Sequence, residues 1–266
     1  MTTLAKTLAD GAVVTKRNLI KMRRMPEAFV WTTVSPIMFV LLFAYVFGGS
    51  IDIPGSSYRE FLIAGIFAQT IIFGSTFTGA GLADDMQKGI IDRFRSLPMA
   101  RSAVLLGRTT SDILTNSVSM TVMSITGLIV GWRIRTSVPE AIAGFLLLLL
   151  FAYSVSWIMA YVGLKVPSVE VINNVSFMFI FPMTFIANTF VPSENLPTVL
   201  RTFAEWNPVS SLSQAVRESF GNTTGIRPSQ AWSLNHPVIY TLIWVGIILA
   251  IFVPLSVRQY RLAANR

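Results

Sequence analysis

The chain has 266 residues, of which 53% are hydrophobic and 13% are charged, whereas a soluble domain carries about 25% charged residues. A soluble fold of this length cannot bury so much apolar surface, so the composition indicates a membrane protein. The net charge of +8 does not indicate nucleic-acid binding, because the basic residues lie mostly between apolar runs, where membrane topology places them. The absence of cysteine excludes disulfides, thiolate metal sites and cysteine nucleophiles.

Residues 1–26 are polar and basic and contain an amphipathic pattern. At helical spacing, one stripe is apolar and consists of Leu4, Leu8, Ala12, Leu19 and Met22. The opposite side is basic and carries Lys6, Arg17, Lys21 and Arg24. This pattern predicts an interfacial helix over residues 1–26 that lies on the anionic inner leaflet of the membrane. The alternative is a disordered basic leader that only sets the topology.

Six apolar runs follow, and each is long enough for a helix of about 20 residues, which crosses a hydrocarbon layer of about 30 Å. They cover residues 28–48, 61–82, 103–131, 138–163, 171–191 and 238–257. Within a bilayer only helices and closed barrels satisfy the backbone, and residues 145–151 (Phe-Leu-Leu-Leu-Leu-Leu-Phe) lack the alternating polarity of a barrel strand. The sequence therefore predicts an all-α integral membrane protein with six transmembrane helices in one domain, residues 1–266.

The distribution of Lys and Arg predicts the orientation, because basic loops stay in the cytoplasm. Of the 21 such residues, fifteen lie in the leader, in the loops after the second and fourth runs, and in the C-terminal tail. The other six, which include Arg217, lie on the opposite side. Both termini should therefore be cytoplasmic.

The cytoplasmic link over residues 84–98 combines charge with an apolar face. Gly89 allows a bend, Pro98 ends the segment, and the apolar face consists of Ile90, Phe94 and Leu97. The charged residues are Asp84, Asp85, Lys88, Asp92, Arg93 and Arg95. A short helix of this kind suits mechanical contact with a cytoplasmic partner, so we predict a coupling helix here. The alternative, a surface helix whose basic residues only set the topology, does not account for the apolar face.

Several predicted spans contain polar side chains, which are unfavourable against lipid and therefore face other helices or a pathway. The candidates for a translocation pathway are Gln69, Thr76, Asn173, Asn174, Phe177, Thr184 and Asn188. A surface that mixes amides, hydroxyls and aromatic rings suits an amphiphilic cargo, since it offers hydrogen bonds without fixed charge. The alternative is that these groups only hold helices together.

Residues 195–222 are too apolar for a free loop, and their helical segments are too short to span a membrane. We predict two short re-entrant helices that enter the outer leaflet and are joined by Glu205, Trp206, Asn207 and Pro208. Asn207 suits the N-cap of the second helix and Pro208 its first position. The alternative is a helical hairpin that does not contact lipid.

Nothing in the sequence indicates catalysis. The single histidine, His236, has no partner for a dyad or a metal site, and no Gly-x-x-x-x-Gly-Lys-Ser/Thr loop for phosphates occurs. No ionisable residue lies at the middle of a predicted span, whereas ion-coupled transporters place charges there. We therefore expect a conduit that is not an enzyme and that has no cofactor of its own.

Four segments resemble the permease subunits of ABC type-2 exporters, and most closely the daunorubicin/doxorubicin-resistance permeases of actinobacteria. They are residues 58–62 (Tyr-Arg-Glu-Phe-Leu), 85–98, 182–192 and 204–210, in the order and spacing of that family over roughly residues 19–220. The family often has a Glu before its coupling helix, where this chain has Asp84 and Asp85.

The resemblance implies a six-span subunit of a bacterial cell membrane that pairs with a second copy or with a similar permease. Two separate ABC ATPase subunits would bind ATP and Mg²⁺ and drive export. Residues 84–98 would be the coupling helix, the leader the interface helix, and residues 195–222 the paired re-entrant helices. The implied cargo is an amphiphilic drug-like molecule, a polyketide or a lipid, as in multidrug and antibiotic resistance. Export of a polysaccharide or glycolipid, and a stand-alone secondary transporter, are the alternatives.

Overall fold

The computed structural model describes residues 4–24, 26–47, 58–96, 101–166, 168–223 and 230–263. Within these ranges the chain forms helices and turns and contains no β-strand. The helices are α1 Leu4–Arg24, α2 Pro26–Leu42, α3 Tyr58–Gly74, α4 Thr76–Gln87, α5 Ile90–Ser96, α6 Arg101–Val130, α7 Val138–Lys165, α8 Val169–Phe185, α9 Thr198–Trp206, α10 Pro208–Phe220, α11 Trp232–Asn235 and α12 Pro237–Ala263. A π-helical turn, Phe43–Phe47, extends α2, and a 3₁₀ turn, Ser193–Asn195, precedes α9.

The predicted all-α class is confirmed for the described residues, and an apolar helix occupies each of the six predicted runs. Four helical units are long and apolar enough to cross a membrane: Tyr58–Gln87, Ser102–Val130, Val138–Lys165 and Pro237–Leu262. The first and fifth runs contain shorter apolar helices, Val34–Val46 and Val169–Phe185. The number of membrane crossings therefore stays a prediction.

The fifth run was expected to be helical to residue 191, but α8 ends at Phe185. The next residues form a turn, and the carbonyls of Asn188 and Thr189 in that turn accept hydrogen bonds from Arg217 of α10. Because these carbonyls bond to a side chain, this segment satisfies its backbone without continuing the helix.

Helix α7 lies against α3, α4, α6, α10 and α12, and it crosses α4 closely at two glycines. A Cβ atom on Gly163 would lie 2.4 Å from the carbonyl oxygen of Gly79. A Cβ atom on Gly79 would lie 2.8 Å from the carbonyl oxygen of Met159. The two helices can therefore approach this closely only because both positions are glycine.

Helix α1 packs against α6 through small and polar residues rather than through the predicted apolar stripe. Gly11, Val14, Thr15 and Asn18 are buried, and the Thr15 hydroxyl donates to the carbonyl of Gly107 at 3.1 Å. In the predicted stripe, Leu8 and Ala12 are exposed and Leu19 is half-buried. The side chains of Leu4 and Met22 are outside the described set.

The predicted boundaries of the leader helix also change. It was expected over residues 1–26, whereas α1 covers Leu4–Arg24 and Pro26 is already the first residue of α2. Proline suits a first helical position, because its missing N–H would have no partner there. Residues 1–3 and 25 lie outside the described ranges. The leader is helical over residues 4–24, which contradicts the alternative of a disordered leader.

The glycine crossing yields a stability prediction. Gly163→Ala forces α4 and α7 apart, and overpacking of this kind costs about 1–3 kcal/mol. Gly246→Ala is the matched control, because a Cβ atom on Gly246 in α12 would meet no atom within 4 Å. We expect a lower midpoint of thermal unfolding in detergent for Gly163→Ala and an unchanged or slightly higher one for the control. Equal midpoints for the two variants would contradict the close crossing.

Candidate functional site

The link predicted from residues 84–98 folds as the end of α4, a turn and the short helix α5. The turn depends on Gly89, whose φ of +63° lies in the left-handed region that favours glycine. On α5, Ile91 is buried, Phe94 is half-buried, and Asp92 and Arg93 are exposed. Leu97, Pro98 and the side chain of Arg95 are outside the described set.

The predicted apolar face of this helix is only part of its buried surface. Ile91, which was not among the predicted face residues, packs into a core cluster with Leu82, Leu105, Trp157 and Tyr260. Phe94 packs against the same cluster. The helix is therefore anchored on the bundle and does not project freely from it.

The same end of the bundle carries ion pairs between α1 and α4. The Arg17 guanidinium lies 3.0 Å from the Asp85 carboxylate, and the Lys21 ammonium lies 2.8 Å from the Asp84 carboxylate. Lys88 also pairs with Asp84, at 2.7 Å. Arg17 in addition lies over the ring of Phe94, 4.9 Å from its centroid. We call the end formed by α1, the last turn of α4 and α5 the α1–α4–α5 junction.

The pairing of α1 with α4 at this junction could not be foreseen from the sequence. Arg17 and Lys21 were expected on the basic side of the leader helix, opposite its apolar stripe, whereas they bind Asp85 and Asp84. The tandem aspartates lie on different faces of α4, but α1 crosses close enough for its side chains to reach both. The only sequence signal was complementary charge at two distant positions, and charge alone does not define a pairing.

A cavity of about 440 Å³ lies between α2, α3, α4, α6 and α8. Its lining consists of aromatic, hydroxyl, amide and small side chains, and no charged residue of the described chain contributes to it. The lining residues are Ser35, Pro36, Phe39, Gln69, Thr70, Phe73, Gly74, Thr76, Phe77, Thr115, Asn116, Ser119, Phe177 and Phe181. An uncharged wall of this composition suits an amphiphilic molecule better than an ion.

The structure brings together three of the seven predicted pathway residues, since Gln69, Thr76 and Phe177 all line the cavity. Asn173 and Asn174 are exposed on α8 and do not line it. Thr184 is fully buried, and its hydroxyl donates to the carbonyl of Ile180 in its own helix at 2.9 Å.

Asn188 also lies away from the cavity, in the turn after α8. Its backbone N–H donates to the Ser210 hydroxyl at 3.0 Å, and its carbonyl accepts from Arg217 at 2.6 Å. The backbone of Asn188 therefore contacts α10. Its predicted place on a pathway stays a prediction.

Two amides in the cavity wall are buried without a hydrogen bond. Gln69 and Asn116 are 5% and 3% exposed, and neither side chain has a hydrogen-bond partner within the described ranges. Asn116 lies against α3 because position 74 is glycine: a Cβ atom there would lie 2.2 Å from the Asn116 Oδ1. The polar atoms of both amides are not among the fully enclosed ones, so these amides would offer hydrogen bonds to a ligand in the cavity.

Asn116 was not among the predicted pathway residues. The signal that selected Gln69, an amide within an apolar run, applied equally to Asn116. What the sequence did not show is that α6 faces the same space as α3 and α8.

The predicted helix pair over residues 195–222 is present as α9 and α10. The N-cap prediction is confirmed: Asn207 Oδ1 accepts from the Val209 N–H at 2.9 Å, and Pro208 is the first residue of α10. Asn207 also donates to the carbonyl of Met183 at 2.7 Å, which ties the joint to α8. Trp206, the last residue of α9, is exposed.

The two helices of this pair differ in their surroundings. Helix α10 is buried between α3, α7 and α12, whereas α9 leaves Val199 and Phe203 exposed. On α9, the Glu205 carboxylate accepts a hydrogen bond from Arg201, and this bond raises the pKa of the Arg201 guanidinium. Entry of this pair into the outer leaflet stays a prediction.

Arg217 on α10 was counted among the basic residues of the outer side, but its side chain is fully buried. The guanidinium donates to the carbonyl of Phe61 at 2.9 Å, of Asn188 at 2.6 Å and of Thr189 at 3.2 Å. It also lies 3.7 Å from the centroid of the Phe61 ring. No carboxylate of the described residues pairs with it. One cation thus holds α3, α10 and the turn after α8 together.

An all-α bundle with several membrane-competent helices and an uncharged cavity is the architecture expected of an integral membrane permease. Residues 11–220 match the family model of the ABC-2 type transporter. The chain belongs to this family, as its four recognised segments predicted.

Several relatives match nearly the whole chain. The daunorubicin resistance ABC transporter permease protein DrrB1 of Streptomyces coeruleorubidus is 29% identical over 97% of this chain and 88% of its own length. The probable doxorubicin resistance ABC transporter permease protein DrrC of Mycobacterium tuberculosis is 24% identical over 97% of this chain and 90% of its own length. The putative transport permease ycf38 of Porphyra purpurea is 21% identical over 84% of this chain and 76% of its own length.

The role of Arg217 can be tested by substitution. Arg217→Leu removes the donor that binds the carbonyls of Asn188 and Thr189 outside any helix, and leaving a buried carbonyl unpaired costs about 1–3 kcal/mol. Arg201→Leu in α9 is the control, because Arg201 forms a partly exposed pair with Glu205 and exposed pairs contribute little to stability. We expect a large fall in the thermal midpoint in detergent for Arg217→Leu and a small one for Arg201→Leu. Similar midpoints would show that Arg217 is not a structural anchor.

Proposed function

We propose that the chain is the transmembrane subunit of an exporter that moves an amphiphilic cargo out of the cell. The observation that carries this proposal is the uncharged cavity, which combines phenylalanine rings with two unpaired amides inside the bundle. Three of the predicted pathway residues line it. The names of two relatives, which refer to resistance to daunorubicin and doxorubicin, support a drug-like or polyketide cargo over a polysaccharide.

The energy would come from separate ATPase subunits that bind ATP and Mg²⁺ and contact the α1–α4–α5 junction. The junction suits this role because it is stiff: α5 is anchored by Ile91 in the core and its Phe94 lies under Arg17, which also pairs with Asp85. A push on α5 would therefore move α4 and α1 together. The exposed Asp92 and Arg93 would contact the partner directly.

We further propose six membrane crossings with both termini in the cytoplasm. Tyr260, near the end of α12, packs in the same cluster as Ile91 of α5, and α1 pairs with the end of α4. The first and last helices thus reach the same end of the bundle, as an even number of crossings requires. The hairpin of α9 and α10 would then lie at the outer face.

The permease would function as a dimer with a second copy or with a similar permease. Helix α8 supports this arrangement, since it leaves a wide apolar face exposed, which includes Val171, Val175, Met178 and Phe179. Asn173 and Asn174 lie on the exposed part of the same helix. A second subunit on this face would cover apolar surface and would bring the predicted pathway residues of two chains close together.

Transport and coupling can be tested in inside-out membrane vesicles that contain the chain with the ATPase subunits that copurify with it in mild detergent. We expect ATP-dependent accumulation of doxorubicin. Phe94→Ala should reduce accumulation and weaken retention of the ATPase, since an aromatic anchor at a hot spot contributes about 2 kcal/mol or more. Phe252→Ala is the control, because Phe252 packs on the same core cluster but lies on α12.

Three results would count against this reading. Absence of any copurifying ATPase would favour a stand-alone transporter. Accumulation that does not depend on ATP would do the same. Equal effects of Phe94→Ala and Phe252→Ala on accumulation and on retention of the ATPase would show that α5 contributes only to core packing.

The orientation can be tested by labelling, because the chain contains no cysteine. Ser96 on α5 and Gln230 before α11 are both exposed, and each is replaced singly by cysteine. We expect Gln230→Cys to react with an impermeant thiol reagent in intact cells, and Ser96→Cys to react only after the cells are permeabilised. The opposite pattern would invert the proposed topology.

A further inference from the structure

Helix α12 has an apolar stripe that no other part of the described chain covers. Ile243, Ile247 and Ile251 lie on this stripe and are all exposed, and their spacing of four residues keeps them on one side of the helix. The stripe continues at similar spacing through Pro254 and Arg258, which are also exposed. Because α12 is long and apolar enough to cross a membrane, we assign the stripe to contact with lipid chains.

The two ends of this stripe carry the side chains that membrane proteins place at the boundary between lipid and water. At one end, the ring centroid of Tyr240 lies 6.1 Å from that of Trp206 and 6.1 Å from that of Trp232. Tryptophan and tyrosine are enriched at such boundaries. At the other end lie Arg258 and Arg261. The rise from Tyr240 to Arg258 is about 27 Å along the helix axis, close to the thickness of a hydrocarbon layer of about 30 Å.

Helix α12 is also longer than the hydrocarbon layer requires. It has 27 residues and therefore a length of about 40 Å, compared with about 30 Å for the layer. With Tyr240 at one boundary, the turns from Arg258 to Ala263 extend beyond the hydrocarbon into the layer of lipid headgroups. Arginine side chains at this depth can reach the phosphate groups of the lipids.

Arg258 and Arg261 differ from the paired cations at the same end of the bundle. Both are exposed, and neither forms an ion pair with a carboxylate of the residues that the structure describes. Lys21 and Lys88, by contrast, both contact the Asp84 carboxylate. The two arginines of α12 therefore remain available to a partner outside the chain.

The opposite side of the same turn is buried. Tyr260 is 2% exposed and packs in the cluster that contains Ile91 of α5. Arg258 and Arg261 are three residues apart, so they are neighbours on the helix surface only while this turn is helical. A group that binds both guanidinium groups therefore stabilises the turn that holds Tyr260 in place.

The partner that fits these arginines is an anionic phospholipid. Guanidinium groups bind phosphate through paired hydrogen bonds, and cations near an anionic leaflet are attracted to it. An acidic protein segment would match the charge equally well. However, the arginines continue the lipid-facing stripe of Ile247 and Ile251, whereas α5, where the ATPase is proposed to bind, lies on the side of Tyr260. The geometry therefore favours the lipid.

We propose that Arg258 and Arg261 bind an anionic phospholipid headgroup of the inner leaflet, and that this contact holds Tyr260 against Ile91 and so keeps α5 on the bundle. The inference rests on the proposed function, whose topology places this end of α12 at the cytoplasmic face. It adds to that function a dependence on membrane composition. Lipids without net charge attract the arginines less, so α5 separates from α12 more often among them.

Access to position 91 reports on this contact, because the chain contains no cysteine and Ile91 is only 5% exposed. A thiol reagent labels Ile91→Cys only when α5 separates from its neighbours. The full chain is reconstituted in nanodiscs of phosphatidylcholine, with or without phosphatidylglycerol. We expect phosphatidylglycerol to slow labelling about fivefold, the factor that corresponds to one favourable contact between a basic side chain and an anionic surface.

The arginines are tested by a double substitution in the Ile91→Cys background. Arg258→Gln with Arg261→Gln should be labelled equally fast in both kinds of nanodisc. Lys6→Gln with Lys16→Gln is the matched control, because it removes two exposed cations from α1 and leaves α12 unchanged. Phosphatidylglycerol should still slow labelling of the control. Loss of the lipid effect in both double variants would assign it to net charge and overturn the proposed site.

Native mass spectrometry gives a second measurement that does not depend on position 91. Without the cysteine, the α12 double variant should retain fewer phosphatidylglycerol molecules than the α1 double variant, and equal retention would overturn the inference. Neither measurement needs ATP or cargo. A lipid effect that depends on the two arginines, without ATP-driven accumulation in vesicles, would refute the export function and leave the lipid site in place. ATP-driven accumulation without such a lipid effect would do the reverse.

Discussion

A buried backbone carbonyl needs a donor from the protein itself, and the turn after α8 places two buried carbonyls, of Asn188 and Thr189, outside any helix. Arg217 supplies donors to both and to the carbonyl of Phe61. A buried cation without a carboxylate is costly to desolvate, but three carbonyl dipoles and the Phe61 ring together offset much of that cost. The position of α10, the end of α8 and the start of α3 all depend on this one side chain.

The opposite end of the bundle is held by a different kind of interaction. At the α1–α4–α5 junction, Arg17 and Lys21 meet carboxylates rather than carbonyls. Thr15 and the close contact at Gly107 place α1 where those pairs can form. Small residues thus determine how near the leader comes to the bundle, and the charged residues then determine which parts of α4 and α5 it engages. The cavity lies between these two anchored ends.

The sequence predicted those features that depend on local pattern. Hydrophobic runs predicted the apolar helices, Gly89 predicted the turn before α5, and Asn207-Pro208 predicted the start of α10, because each depends on neighbours within a few residues. The predicted end of α8 was six residues too late. A hydropathy pattern gives no information about carbonyls that bond to an arginine far away along the chain.

The candidate site was only partly predictable for a related reason. Polarity within an apolar run identified Gln69, and the same criterion applied to Thr184, which bonds to its own helix. Which polar group faces a cavity depends on the packing of five helices, and one sequence does not encode that packing in any local pattern. Asn116 and the buried face of α1 were missed because their partners lie far away along the chain.

The contrast between the two anchors has a consequence for ionic strength. Arg17 and Lys21 have side chains that are 31% and 32% exposed, so mobile ions reach their pairs and weaken them; the Debye length is about 8 Å at physiological salt. Arg217 is fully buried and binds neutral acceptors, so dissolved ions have little effect on it. Rising salt therefore loosens the leader from α4 while the hairpin of α9 and α10 stays in place, and the two faces of the protein differ in their response to the solution that bathes them.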